Sequence, residues 1–187
     1  MKIYFRKTFK YDPCHSGLSK YESYEAVTRQ LYSPGIVDLD FKEHFDLQTF
    51  CSSLKRCQET AKIISSGEII ELDELREIKF SLHNLVSEEE FEQYGSSLVR
   101  ERFIQSFIND SLLEKREDIK KRINRVVKII FQENNDKLIV SHSFTMKMFE
   151  ACFQKNLNIF KDPNLISKVI FTQTETYPFG GGFDIRV

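Results

Sequence analysis

The chain has 187 residues, 41% of them hydrophobic and 29% charged. That length and composition support a packed core in a single domain and exclude bulk disorder. A formal net charge of -1 excludes a general nucleic-acid or anionic-membrane binder, which would carry a basic excess.

Residues 2–5 (KIYF) read as a short buried strand that turns basic at Arg6, Lys7 and Lys10. SKYE (residues 19–22) is a capping box before a helix running to about Tyr32, where SPG stops it. FDLQTF (45–50) is a strand candidate. In the segment after it, Ser52 or Ser53 can cap a helix with an apolar stripe of Leu54, Cys57, Ala61 and Ile64, ended by Gly67. EIIEL (68–72) predicts another strand, and SEEE (87–90) opens a helical stretch to about Asn109. Residues 113–133 predict a long helix on the spacing of Ile119, Ile123, Val126, Val127 and Ile130. KLIVSHS (137–143) is an apolar strand ending in polar residues, followed by the helix FTMKMFEACF. SKVIFTQT (167–174) and FDIRV (183–187) predict two final strands around a PFGGG turn.

Strands alternating with helices predict an α/β fold: a three-layer α/β/α sandwich with a mostly parallel mixed sheet. The expected organisation is one domain over residues 1–187, with a helical insertion at roughly 84–112. Its aromatic residues Phe91, Tyr94, Phe103 and Phe107 could cap a site or pack on the domain. No apolar run approaches the ~18 residues of a membrane span, and the N-terminus is too poor in apolar residues for a signal peptide. Cys14, Cys51, Cys57 and Cys152 form no CxxC pair. Idle thiols in a reducing cytoplasm are therefore expected, with no metal site and no membrane partner.

Ligands of such folds sit beyond the carboxyl ends of the strands. Three strand ends collect chemistry there: Arg6 and Lys7, Arg56 in the first turn after the second strand, and His142. Glu77 comes after the third strand. Cations at this edge suit a phosphate, which Arg grips in a bidentate way. A His can donate to a phosphoryl oxygen and a carboxyl can act as general acid.

Five blocks carry a resemblance to the histidine phosphatase superfamily, which includes phosphoglycerate mutases. SSLKRCQETAKII (52–64) is similar to its SSPLxRAxQTAxII segment, and ELDELREI (71–78) to xxDERLREI. LIVSHSFTMKMF (138–149) resembles VLVVSHGGxIRAL. At the N-terminus, MKIYF resembles the MKIYLVRHGET opening, and GLSKYESYEA (17–26) the PLTxxGxxQA segment behind it. The resemblance implies phosphoryl transfer through a phosphohistidine on the His of RHG. It implies His142 as a second His on the phosphate, Arg56 as a phosphate ligand and Glu77 as the acid that protonates the leaving group. Metal and organic cofactors are not implied.

The opening departs from that pattern. Aligned without a gap, RHG falls on Lys7, Thr8 and Phe9; with a one-residue deletion, Arg6 matches the Arg and Lys7 the His. Both alignments lose the nucleophile, because a Thr needs a base and a Lys is protonated unless desolvated. SHGG has become SHSF at 141–144, and KFSLH (79–83) stands where a glycine is usual. The expectation is a weakly active or inactive relative whose pocket (Arg6 or Lys7, with Arg56 and His142) binds a phosphorylated small molecule or protein. The alternative is an active phosphomonoester phosphatase with a relocated nucleophile, His15 or His142. A third reading is an interaction module whose pocket is filled.

Overall fold

In a computed structural model, residues 1–37, 43–170 and 177–186 are described. Among the described residues, five strands form one sheet: β1 (Lys2–Lys7), β2 (Gln48–Ser52), β3 (Ile69–Leu72), β4 (Lys137–Ser141) and β5 (Gly182–Arg186). Their order is β3-β2-β4-β1-β5. The first three pairings are parallel, and β5 joins β1 antiparallel as an edge. The sheet is mixed and mostly parallel, as the alternation of elements predicts.

Every residue of β4 is buried. Leu138 and Val140 pack with Cys57, Ala61 and Ile64 of helix α2 (Lys55–Ile64) on one face. Ile139, Ile3, Phe5 and Phe50 join the larger core on the other face. That core includes α3 (Glu88–Ile108), α4 (Arg116–Ile130) and α5 (Ser143–Phe149). Helices therefore cover both faces, which is why β4 reads as a continuous apolar run. In α4, Ile119, Ile123, Val126 and Ile130 are buried at helical spacing.

Several boundaries differ from the sequence reading. Helix α1 (Lys20–Thr28) has the capping box of Ser19 and Glu22, but ends before Tyr32 because Gln30 takes a positive φ of 61°. Neither Ser52 nor Ser53 caps α2, whose N-cap is Leu54. Ser53 Oγ donates to Asp73 Oδ1 instead (2.7 Å). Helix α3 is kinked at Gly95 (φ 59°, ψ -146°). The strand expected from residue 167 begins inside a 3-10 helix, Pro163–Lys168, and its part from residue 171 lies outside the described residues. The last strand begins one residue earlier than expected.

One buried arginine ties α4 to the segment after β3. Arg122 Nε and Nη2 donate to the two carboxylate oxygens of Glu114 (2.7 and 3.1 Å), and its Nη1 to the carbonyls of Glu74 and Arg76 (2.6 and 2.7 Å). Removing it would strand a nearly buried carboxylate and two carbonyls. Arg122→Ala is expected to lower stability by about 3 kcal/mol in urea unfolding. The pair Arg122→Met with Glu114→Gln should lose less, since no unpaired charge remains. Equal losses would mean that the ion pair is not what the segment depends on.

Candidate functional site

Strands β1, β2 and β4 lie side by side, with Lys7 opposite Ser141 and Cys51 opposite Val140. Their carboxyl ends therefore bring Lys7, Ser52 and His142 to one place. The cavity there measures about 200 Å³. Lys7, Arg56, Glu77 and His142 line it, and Tyr11, Arg100 and a set of aromatic side chains complete it.

Arg56 sits in the first turn of α2 and is only 3% exposed. Its guanidinium lies 4.8 Å from the Tyr11 ring centroid. Its Nε and Nη1 are buried and meet no hydrogen-bond acceptor among the described residues. A buried guanidinium with idle donors is costly, and an anion is the partner that offsets it.

His142, also 3% exposed, precedes α5. Its Nε2 lies 2.9 Å from Ser52 Oγ and 3.3 Å from Cys57 Sγ. Burial, then the charges of Arg56, Arg122 and Lys7, hold its pKa well below 6.5. The imidazole is neutral at neutral pH. Burial also pushes the Cys57 thiol upward, so it is no nucleophile.

Arg6 and Lys7 part company. Arg6 Nε donates to Glu43 Oε2 (3.0 Å) and Nη1 to Asp184 Oδ1 (2.8 Å), beside the rings of Tyr4 and Phe45. It does not line the cavity that Lys7 lines, so of the two cations at this strand end Lys7 is the one at the cavity. Successive strand side chains point to opposite faces. Lys7 goes with Ile3 and Phe5 toward the larger core. Its Nζ donates to the Tyr177 carbonyl (3.1 Å) and lies 4.3 Å from the Phe179 ring centroid. Burial pulls its pKa down to about 8, with Glu77 raising it and Arg100 lowering it further. The Thr8 hydroxyl donates to the Phe9 carbonyl (3.0 Å).

Glu77 is held as an acceptor. Its carboxylate receives the N–H groups of Phe144 (3.1 Å), Thr145 (2.9 Å) and Ile78 (3.1 Å), and the Thr145 hydroxyl (3.2 Å). The backbone behind it is fixed by Arg122, by Thr145 Oγ1 donating to the Arg76 carbonyl (2.7 Å) and by Ser141 Oγ donating to the Leu75 carbonyl (2.7 Å). His15 is exposed, its ring 4.3 Å from that of Tyr32, and it is not among the cavity residues.

The sequence pattern of the histidine phosphatase superfamily (branch 1) matches residues 39–168. The chain belongs to this superfamily. The fold is similar to that of Mycobacterial hydrolase 1, at 14% identity over 88% of this chain and 85% of that one, with a TM-score of 0.58. It is also similar to phosphoglycerate mutase from Bacillus anthracis str. Sterne (15% identity, 84% and 83% covered, TM-score 0.53). A third likeness is to phosphoserine phosphatase from Entamoeba histolytica in complex with 3-phosphoglyceric acid (14%, 95% and 87%, TM-score 0.52). Curated protein sequences gave no match. Among the described residues, no helix is long and apolar enough to cross a membrane, and no cluster of His, Cys, Asp and Glu could hold a metal.

Three contributors to the site of this histidine phosphatase relative escape the sequence reading: Ser52, Tyr11 and Arg100. Ser52 carries a signal as a strand-end hydroxyl, but the same position suits a helix cap. Tyr11 and Arg100 belong to no family block and reach the cavity only through the loop path and the α3 kink.

The neutral state of His142 makes stability depend on pH. The unfolded chain protonates this side chain near its ordinary value of 6.5 and the folded chain does not, so the stabilisation is present above 6.5 and is lost as pH falls. His142→Gln is expected to flatten the drop in unfolding midpoint between about pH 6.5 and 5. Parallel wild-type and variant curves would show that His142 does not carry the dependence.

Proposed function

We propose that this protein binds a phosphorylated ligand at the cavity without using the phosphohistidine route, as an inactive or weakly active relative of the phosphatases. The carrying observation is Arg56, a buried guanidinium with two idle donors facing a cavity that Lys7 also lines. Chain residues 1–14 hold no histidine, and the end of β1 offers an ammonium and a hydroxyl already bonded to its own backbone. The ligand class is suggested by the superfamily and by the 3-phosphoglyceric acid held in complex by the similar phosphoserine phosphatase. In this reading Arg56 and Lys7 hold the anion, and neutral His142 can donate to a phosphoryl oxygen. Glu77 orients α5, and a role as general acid would require it to give up acceptor bonds.

One observation favours a second reading. A neutral imidazole keeps a lone pair, so His142 meets one requirement of a relocated nucleophile. Its Nε2 is turned to Ser52 and Cys57, which weighs against it. His15, packed on Tyr32 outside the cavity, would need its loop to move.

Calorimetry with inorganic phosphate and hydrolysis of p-nitrophenyl phosphate test both. Arg56→Gln is expected to weaken phosphate binding roughly 10- to 100-fold. Turnover should be no greater in the wild type than in His142→Ala or His15→Ala. Clear turnover abolished by either substitution would replace this proposal with a phosphatase that has a relocated nucleophile. Phosphate binding unchanged in Arg56→Gln would overturn the anion pocket.

Lys7 adds a pH signature. Its ammonium is charged below about 8 and loses charge above it. Phosphate affinity is expected to fall between about pH 7.5 and 9, with protons taken up on binding in that window. Lys7→Met should bind more weakly and lose the dependence. An unchanged pH profile in the variant would remove Lys7 from the site.

A further inference from the structure

The walls of the cavity specify more than an anion. Its cationic end is built by Arg56, Lys7 and Arg100. Arg100 comes from α3 and is close enough to Lys7 to depress that ammonium. Its own Nε is buried with no acceptor among the described residues. The rest of the lining is mostly hydrocarbon, including Phe80, Leu82, Phe91, Val99 and Phe144. Phe144 stacks on Phe103 (3.9 Å between centroids) and meets Phe80 edge-on (5.7 Å), which makes a rigid aromatic wall.

Beside the cations, the hydroxyls of Tyr11, Tyr24 and Ser143 line the cavity, while several other polar groups there are already engaged. The Thr8 and Thr28 hydroxyls donate to the carbonyls of Phe9 and Glu25 (3.0 and 3.1 Å). Ser96 accepts from Arg100 (3.4 Å). The carboxylate oxygens of Glu77 are occupied by α5. A sugar or glycerate body would have to replace its hydrogen bonds to water from these few hydroxyls, whereas a hydrocarbon body would lose none. The cavity of about 200 Å³ exceeds the ~150 Å³ of an apolar cavity that holds benzene. It has room for one or two fused rings.

Building on the phosphate pocket proposed above, we propose that the ligand is a phosphomonoester of an aryl or branched alkyl alcohol. Its phosphate lies among Arg56, Lys7 and Arg100, and its hydrocarbon lies between Phe80, Phe91, Val99 and Phe144. The chemistry fits a small aryl phosphate and the side chain of a phosphotyrosine peptide alike.

Calorimetry on the full chain distinguishes the possibilities with five probes: 1-naphthyl phosphate, inorganic phosphate, 3-phosphoglycerate, 1-naphthol and a phosphotyrosine peptide. The expected result is binding of 1-naphthyl phosphate at least about tenfold tighter than inorganic phosphate, with 3-phosphoglycerate no tighter than inorganic phosphate. Arg56→Gln should weaken both phosphate and naphthyl phosphate. Phe91→Ala should weaken only the naphthyl ester, and the wild-type series alone carries the test if that variant does not fold. Tighter binding of the peptide than of naphthyl phosphate would support the proposal with a protein as source; the reverse order supports it with a small ester. Equal affinity for phosphate and naphthyl phosphate, with Arg56→Gln still weakening both, would overturn the ester class and leave the anion pocket standing. Absence of phosphate binding, or 1-naphthol binding as tightly as its phosphate, would overturn both.

Discussion

A buried guanidinium with no acceptor, among the described residues, for two of its nitrogens is the constraint around which this site is arranged. Arg56 is placed there by the sheet: β2 delivers the chain to the edge, α2 starts at Lys55, and its buried stripe of Cys57, Ala61 and Ile64 packs under Leu138 and Val140. Arg56 is nearly buried in that position and faces the cavity. Its neighbours do not neutralise it either. Lys7 and Arg100 add positive charge, and His142 responds by staying neutral. Three cations against the one carboxyl of Glu77 leave the pocket with an excess of positive charge, which is unfavourable where water is scarce and which an anion would offset.

The opposite wall is organised so that its carboxylate does not relieve that cost first. Glu77 lines the same cavity, yet among the described residues it forms no ion pair with Arg56. Its acceptors are spent on the first turn of α5 and on Ile78. The Arg122–Glu114 pair and the bonds from Ser141 and Thr145 hold the backbone of residues 74–76 in place. With Glu77 locked on the helix, the N–H groups of Phe144 and Thr145 are taken up by its carboxylate.

Much of this was legible in the sequence because it obeys local rules. The apolar run 138–140 announced a strand covered on both faces, and the capping box of Ser19 and Glu22 is formed as read. The approach of Lys7, Arg56, Glu77 and His142 came from placing polar residues at the ends of parallel strands. Strand parity limited the rest. Arg6 and Lys7 had to point to opposite faces, but only packing decides which face holds the cavity; Tyr4 and Arg6 go to Phe45, and Phe5 and Lys7 to the larger core. Ser52 misleads because a hydroxyl before a helix usually caps it, whereas here it lies against the imidazole of His142.

The segments outside the resembling sequence blocks also shape the cavity. KFSLH, legible in the sequence only as a missing glycine, is pinned by Glu25, which accepts the Ser81 hydroxyl (2.9 Å) and the N–H of Leu82. That anchor lets Phe80 and Leu82 face the cavity. Helix α3 contributes from both sides of its kink: Phe91 before Gly95, and Ser96, Val99 and Arg100 after it. A φ of 59° with a ψ of -146° belongs to glycine. A side chain with a Cβ at position 95 would straighten or strain the turn, and the two halves could no longer meet the same cavity as they do. Of the cations, Lys7 thus comes from the sheet and Arg56 from the first turn of α2. Arg100 and much of the hydrocarbon wall come from a bent helix and the loop before it.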